Sequence, residues 1–346
     1  MKGRVTSGRR EAAGFTQLDW VRARFLDALG IDPYPGTLNL IINRDDDVKA
    51  WDALRSSPGF AIAPPEGTTF CPGRCYAVRV NDQLPAGIVV PEVPGYPEWQ
   101  VEIVAALSIR DTLSLADGDV VTIDPWEPCA VRAVIFDVDG TLVDSLTAYR
   151  IVAERAAAPY GVMITDAMIR EALNTTRHFW DIALPADFAD RDRTMGVLRR
   201  DAARLWSDVL REHGRVRVDI APVLRTLRDR GVKLGIMTAS RRGSLDALRQ
   251  SGILDLFDAI VTGEDVGRRK PDPEGLLMCA AGLDVPPREA AYVGDTPLDV
   301  RAARAAGMFS IAVLSGAGDS ALLSAAGADR LIPSVACLGD SSLIVI

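Results

Sequence analysis

Apolar positions along the chain change their period near residue 128, and the change divides it in two. Before that point, short runs rich in Val and Ile stand between Pro, Gly and Asp turns: Tyr76–Val80, Gly87–Val90, Val101–Ala105 and Asp119–Ile123. Runs of this length bounded by turn residues predict strands. One helix is expected among them, because Leu18, Val21, Phe25 and Leu29 recur at helical spacing and Gly30 follows as a stop. Short strands with one helix predict a small β-barrel over residues 1–128.

Beyond Pro125-Trp126-Glu127-Pro128 the pattern switches to apolar strands alternating with amphipathic helices. The strands expected are Ala133–Phe136, Leu234–Met237, Ala259–Val261, Ala290–Val293 and Ser310–Val313. Such alternation predicts an α/β fold, a doubly wound parallel sheet, over residues 129–346. About 90 residues separate the first two strands, from Leu142 to Lys233, and Leu146, Tyr149, Val152, Ala153 and Ala156 give that stretch helical periodicity. An inserted helical cap is therefore expected at about 145–230, lying over the C-terminal strand ends as a lid. The prolines at Pro125 and Pro128 read as a hinge between two separately folding halves.

A chain of 346 residues is long enough for two cores. With 39 basic and 47 acidic residues the net charge is −8, which argues against a nucleic-acid or anionic-membrane binder. Small phosphorylated ligands stay open, since a few cations and backbone amides hold those. No apolar run approaches the ~20 residues needed to span a bilayer, and the opening MKGRVTSGRREAAGF carries no signal-peptide core. Five scattered cysteines, an odd number, point to a reducing compartment, so the expected location is the cytosol. Cys71 and Cys75 form a lone C-x-x-x-C beside only two histidines, His178 and His213. Structural zinc asks for four such ligands, so these cysteines read as ordinary small side chains.

The chemistry concentrates at strand ends of the second half. In Val134-Ile135-Phe136-Asp137-Val138-Asp139-Gly140-Thr141-Leu142 an apolar strand delivers two carboxylates into a glycine turn. Open α/β sheets bind ligands at that end. Alternation puts both carboxylates on one face, where they repel unless a cation such as Mg²⁺ is shared with phosphate oxygens. Thr238 and Ala239, in Ile236-Met237-Thr238-Ala239-Ser240, offer a hydroxyl and backbone amides to a phosphate. Lys270, in Arg268-Arg269-Lys270-Pro271-Asp272-Pro273, offers a cation, and Asp295 and Asp299 add carboxylates for a metal and for orienting the lysine.

These four pieces in this order resemble the haloacid dehalogenase superfamily over about 131–340, in its helical-cap branch of phosphoglycolate-phosphatase-like proteins. The resemblance implies that Asp137 is the nucleophile of an aspartyl-phosphate mechanism and Asp139 the general acid and then base. It implies that Thr238 and Lys270 bind the phosphoryl group, and that Mg²⁺ is held by Asp137, the Asp139 carbonyl and Asp295, with Asp299 in support. Proteins similar to β-phosphoglucomutase carry a histidine ten residues after the acid/base aspartate; here that position is Tyr149, so hydrolysis ranks ahead of phosphate transfer between sugar hydroxyls. His178, beside Trp180 in the cap, is the nearest histidine and reads as a surface residue before a substrate contact.

In the first half, Pro33-Tyr34-Pro35-Gly36-Thr37-Leu38-Asn39-Leu40, with Lys2-Gly3-Arg4-Val5 and Leu115-Ala116-Asp117-Gly118-Asp119, resembles the archaeal-type CTP-dependent riboflavin kinase family. The resemblance implies a small β-barrel with Thr37 and Asn39 at a Mg²⁺–nucleotide site. It places Glu102 on the flavin side, and Gly8, Leu107, Ser108, Ile109 and Arg110 along the nucleotide. In Ser7-Gly8-Arg9-Arg10-Glu11-Ala12-Ala13-Gly14, however, Arg10 and Ala12 stand where that family has glycines, Pro94 replaces a flavin-side threonine and Ser108 a basic residue. A Cβ at a phosphate loop obstructs close approach of amides to a triphosphate.

The expected protein is thus a Mg²⁺-dependent phosphomonoesterase acting on a small phosphorylated metabolite, fused to a riboflavin-kinase-like barrel. Riboflavin, FMN and CTP are its expected ligands, with FMN a candidate phosphatase substrate. Three readings stay open: both halves catalytic, a phosphatase with a regulatory ligand-binding barrel, or a non-enzymatic flavin or nucleotide sensor. Intact Asp137, Asp139, Lys270 and Asp295 count against the third. Arg10 and Ala12 favour the second over the first.

Overall fold

Val5, Leu40, Ile88, Ile103 and Ile123 are all buried, because they face the interior of one antiparallel sheet. The computed structural model describes residues 1–8, 12–97, 99–126 and 131–339. It divides into two units, one formed by the chain up to Pro128 with Asp329–Leu331, the other by the remainder. The first unit contains β1 (Lys2–Thr6), β2 (Leu38–Ile41), β3 (Phe60–Ile62), β4 (Gly73–Val80), β5 (Leu84–Pro91), β6 (Gln100–Ala105) and β7 (Val120–Pro125). Their order is β3-β4-β5-β6-β2-β1-β7, and β4 also pairs with β7, so six strands close into a barrel with β3 appended. Closure leaves those six strands without a free edge.

The helix Asp19–Leu29 lays Val21, Phe25 and Leu29 against Ile31, Cys75 and Val104, and ends on Gly30 at φ 65°. The expectation of a single helix among the strands is corrected. Asp45–Arg55 forms a second eleven-residue helix, and Ala12–Phe15 and Ile109–Thr112 make short ones. Asp45–Arg55 buries only Trp51, so it shows no apolar stripe; three aspartates in its first turn suit the positive helix end instead.

The second unit contains β8 (Ala133–Phe136), β9 (Val143–Asp144), β10 (Arg215–Val216), β11 (Lys233–Met237), β12 (Ala259–Val261), β13 (Ala290–Gly294) and β14 (Phe309–Val313), and of β15 (Arg330–Ile332) its last residue, Ile332. The main sheet runs β12-β11-β8-β13-β14-β15, with β12 through β14 pairing in parallel. Alternate residues feed two cores. Val134, Phe136, Ile236 and Val293 pack on one face, and Ala133, Ile135, Met237 and Tyr292 on the other. This is the doubly wound sheet, with β8 at its centre where the winding reverses. Ligands bind at such a reversal.

The cap consists of the helices Leu146–Ala157, Asp166–Asn174, Phe179–Ala183 and Arg191–His213. It has its own core of Ala153, Ala157, Trp180, Leu184 and Leu198. Its two crossings from the sheet are held together by β9 and β10, which pair Asp144 with Arg215 and Val143 with Val216. Sequence periodicity did not reveal these two-residue strands.

Candidate active site and barrel cavity

Asp137 follows β8 directly, and its N–H extends the ladder by donating to Val293 O at 2.9 Å. The chain then turns through Gly140 at φ 83°, where a Cβ would lie 2.3 Å from Asp295 Oδ2. Only glycine fits that approach. Asp137, Asp295 and Asp299 are buried and offer carboxylate oxygens within 4.8 Å of one another. Lys270 Nζ donates to Asp137 Oδ1 at 2.7 Å, to Asp299 Oδ1 at 2.5 Å and to Tyr292 Oη at 3.1 Å.

Asp299 is fixed from its own helix: Thr296 Oγ1 and N donate to its Oδ2 at 2.6 and 3.0 Å, forming a capping box. Asp295 accepts from Thr141 Oγ1 at 3.2 Å and from Ala317 N at 2.7 Å. Asp139 accepts from Ser240 Oγ at 2.6 Å, while its Oδ1 is buried without a partner. Thr238 lies buried at the end of β11, its Oγ1 accepting from Ser240 N at 3.1 Å, and Ala239 is half-buried beside it. Of the seven residues expected at the phosphoryl site, Asp137, Asp139, Thr238, Ala239, Lys270 and Asp295 lie in the loops after β8, β11, β12 and β13, and Asp299 in the first turn of the helix after β13.

Burial raises the Asp137 carboxyl well above its ordinary range, and Asp299 and Asp295 add to the rise against the pull of Lys270. Asp139 contributes least to that rise, so the repulsion expected chiefly within the Asp137/Asp139 pair comes instead from the two distant carboxylates. Burial and Asp299 push Asp295 up to about 7. Burial also raises Asp139, opposed by the Ser240 hydroxyl. Burial would lower Lys270, yet Asp137 and Asp299 outweigh it and keep the ammonium charged; Lys270 in turn holds Asp299 low. Several buried carboxylates around one lysine leave the pocket short of positive charge. Hard oxygen donors with that deficit fit a divalent cation such as Mg²⁺.

Sequence reasoning missed Ser240 and Tyr292. Tyr292 reads as a buried strand residue, but its hydroxyl joins Met237 O, Lys270 and Asp299. A buried tyrosine hydroxyl needs a partner, which was the available signal. His178 caps the helix Phe179–Ala183, its Nδ1 accepting from Trp180 N at 3.3 Å, and burial and Arg199 lower its pKa. Tyr149 packs on Trp206 with ring centroids 4.5 Å apart. Cys75 is buried and its thiol pushed up to about 12, while Cys71 is exposed. Among the described residues, no cluster of three or more metal-capable side chains includes either cysteine.

In the barrel, Gly8, Thr37, Asn39, Glu102, Leu107, Ser108, Ile109 and Arg110 all line one cavity of about 1070 Å³. Thr37 Oγ1 donates to Glu102 Oε2 at 3.2 Å, and Tyr96 Oη to Glu102 Oε1 at 2.8 Å. Gln100 Nε2 reaches Asn39 Oδ1 at 3.3 Å, so Thr37, Asn39 and Glu102 share one polar network. Tyr96 and Gln100 were not singled out from the sequence. Arg110 donates to Thr6 O and Asp117 Oδ1 at 2.9 and 2.7 Å; Ser108 caps the turn that buries Ile109. Ala12 lines the cavity too, whereas Arg10, with Arg9 and Glu11, lies outside the described residues. Pro128 and Cys129 lie outside them as well. No helix among the described residues is long and apolar enough to cross a membrane.

Two family profiles match the chain: Haloacid dehalogenase-like hydrolase over residues 134–313, and the CTP-dependent riboflavin kinase profile (Domain of unknown function DUF120) over residues 5–124. The chain is 34% identical over 218 residues to a phosphoglycolate phosphatase of Rhodospirillum rubrum, covering 60% of this chain and 90% of that one. It is 40% identical over 128 residues to a riboflavin kinase of Methanoregula boonei, covering 36% of this chain and 56% of that one. The match thus spans little more than half of that kinase. Among solved structures, a haloacid dehalogenase-like hydrolase of Bacteroides fragilis superposes with a TM-score of 0.55 at 30% identity, covering 60% of this chain and 99% of that chain.

Proposed function

We propose that this chain, which belongs to the haloacid dehalogenase-like hydrolase family, cleaves a small-molecule phosphomonoester through an aspartyl-phosphate on Asp137. The observation that carries the reading is the meeting of Asp137, Lys270 and Asp299 within 2.7 Å contacts, beside Asp139 on Ser240. A carboxylate oxygen of Asp137 attacks phosphorus as the bond to the leaving oxygen breaks. Splitting hydrolysis in this way replaces one hard step by two easier ones. Asp139, whose carboxyl burial raises, gives a proton to the leaving alkoxide. As a carboxylate it then takes a proton from the water that attacks the phosphorus, releasing inorganic phosphate and free Asp137.

Lys270 and Thr238 hold the phosphoryl oxygens, and Asp299 keeps Lys270 aimed at them. Asp137, Asp295 and the Asp139 carbonyl would hold Mg²⁺, which would supply positive charge against the phosphoryl oxygens. The barrel binds flavin and nucleotide in its 1070 Å³ cavity, a reading supported by the profile match and by the network joining Thr37, Asn39 and Glu102. A second reading makes the barrel a regulatory ligand-binding module, which Arg10 and Ala12 in the glycine-loop region favour.

Phosphate release, screened with Mg²⁺ over phosphorylated metabolites including FMN and phosphoglycolate, tests the reading. Turnover that Asp137→Asn removes and EDTA silences is the expected result. Wild-type turnover in a non-deamidated Asp137→Asn protein would overturn it.

A further inference from the structure

The loop after β14, residues 315–318, is gripped from both sides. On its inner side Ala317 N donates to Asp295 Oδ2 at 2.7 Å, and Gly318 N donates to Asp295 O at 2.9 Å. Gly316 is pressed so close that a Cβ would lie 2.1 Å from Asp295 Oδ2. On its outer side the cap helix Asp166–Asn174 sends two donors to the buried Ala317. Arg170 Nη1 lies 3.1 Å from Ala317 O, and Asn174 Nδ2 lies 3.2 Å from the same oxygen. Just beyond β10, where the chain returns from the cap, Arg217 Nη2 donates to Ser315 O at 2.7 Å and to Gly140 O at 3.2 Å.

One peptide group therefore carries both grips. The carbonyl of Ala317 takes the cap donors, and the N–H of the same planar unit, on Gly318, holds the Asp295 backbone. A planar trans peptide presents its oxygen and hydrogen on opposite edges and cannot flex between them. A shift of the cap would therefore reach Asp295 as a tilt of that plane. Arg217 ties the same loop to the Asp139–Gly140 turn across the pocket.

We propose that Arg170, Asn174 and Arg217 are positioning residues that set Asp295 for the metal only while the cap is seated, so that cap seating and metal binding are coupled. The inference rests on the reading above, in which Asp295 ligates Mg²⁺. Coupling of this kind is reciprocal: whatever favours the seated cap tightens the metal, and the metal favours the seated cap.

The test is equilibrium binding of Mn²⁺ to the full chain, followed by electron paramagnetic resonance, with Mg²⁺ as competitor, with and without inorganic phosphate. Two lost hydrogen bonds predict about tenfold weaker metal binding in the Arg170→Ala/Asn174→Ala variant. Arg170→Lys, which keeps a donor, is expected to recover most of it, and Arg217→Met to weaken metal binding similarly. A merely structural role would lower thermal stability and leave metal affinity where it was, and that result overturns the proposal. Should the double variant fail to fold, Arg170→Ala alone, at an exposed helix position, carries the same test. Asp295→Asn separates the two levels. Wild-type metal affinity in Asp295→Asn would overturn the metal site itself, and the coupling with it. Loss there, beside unchanged affinity in the cap variants, would overturn the coupling alone.

Discussion

Lys270 sits closer to Asp299 than to the proposed nucleophile: its Nζ is 2.5 Å from Asp299 Oδ1 and 2.7 Å from Asp137 Oδ1. Since Thr296 pins the other oxygen of Asp299, the lysine is anchored to the start of the helix Pro297–Ala305 and leans from there toward Asp137. Removing that anchor changes both charge and aim. Asp299→Ala is expected to lower kcat about a hundredfold and to destabilise the fold by about 3 kcal/mol, because a buried ammonium loses one of its two carboxylates. Steady-state kinetics and chemical denaturation check both figures.

Asp137→Asn is expected to stay folded while releasing no phosphate, because an amide cannot form the acyl phosphate. Asp139→Asn is expected to slow breakdown of the intermediate, since no base remains to activate water. Acid quenching after exposure to a labelled aryl phosphate, whose leaving group needs no proton from Asp139, should trap label on Asp139→Asn and none on Asp137→Asn. The reverse pattern would exchange the two roles.

The strand–helix alternation and the motifs that follow its strands made the second unit and its charged residues legible: Asp137 comes directly after β8, Lys270 in the loop after β12 and Asp299 in the first turn of the helix after β13. What escaped was set by contacts distant in the chain. Tyr292 looks like any apolar strand residue until its hydroxyl meets Lys270, 22 positions away. Arg170 and Arg217 look like solvated cations, yet both find backbone carbonyls of the loop after β14. In the barrel, Asp45–Arg55 was silent because a helix burying only Trp51 has no stripe to read.

Asp295, held up to about 7 by burial and by Asp299, gives the metal-free protein a pH signature. Its folded carboxyl keeps a proton that an unfolded chain releases near ~3.9. Its stabilising contribution is therefore full below that value and disappears as pH rises through about 7. Asp137, also raised, acts in the same direction. In EDTA, Tm is expected to fall between about pH 5 and 7, and saturating Mg²⁺ to remove most of the fall. Calorimetry across that range decides it; parallel curves with and without Mg²⁺ would contradict the assignment.

For the barrel, riboflavin or FMN is expected to bind the full chain more readily than CTP. The cavity keeps Thr37, Asn39 and Glu102 in one network, but Ala12 lines it where the resembling family has glycine. Two or three lost amide-to-phosphate bonds at ~1.5–3 kcal/mol each would weaken a triphosphate by orders of magnitude. Isothermal titration with each ligand reads the order directly. Tight Mg·CTP binding with riboflavin phosphorylation would reverse it.

The short ladder of Asp144 with Arg215 and Val143 with Val216 has a consequence for diversification. It makes the two chain crossings into the cap neighbours, so the segment from Leu146 to His213 leaves and rejoins the sheet at one place. Lengthening or replacing the segment between them leaves the closure of the loop nearly unchanged, because its ends are already joined. Leaving-group preference thus becomes a portable trait: a cap grafted at Asp144 and Arg215 is expected to bring its own selectivity as long as it keeps the donors that Arg170 and Asn174 give to Ala317 O.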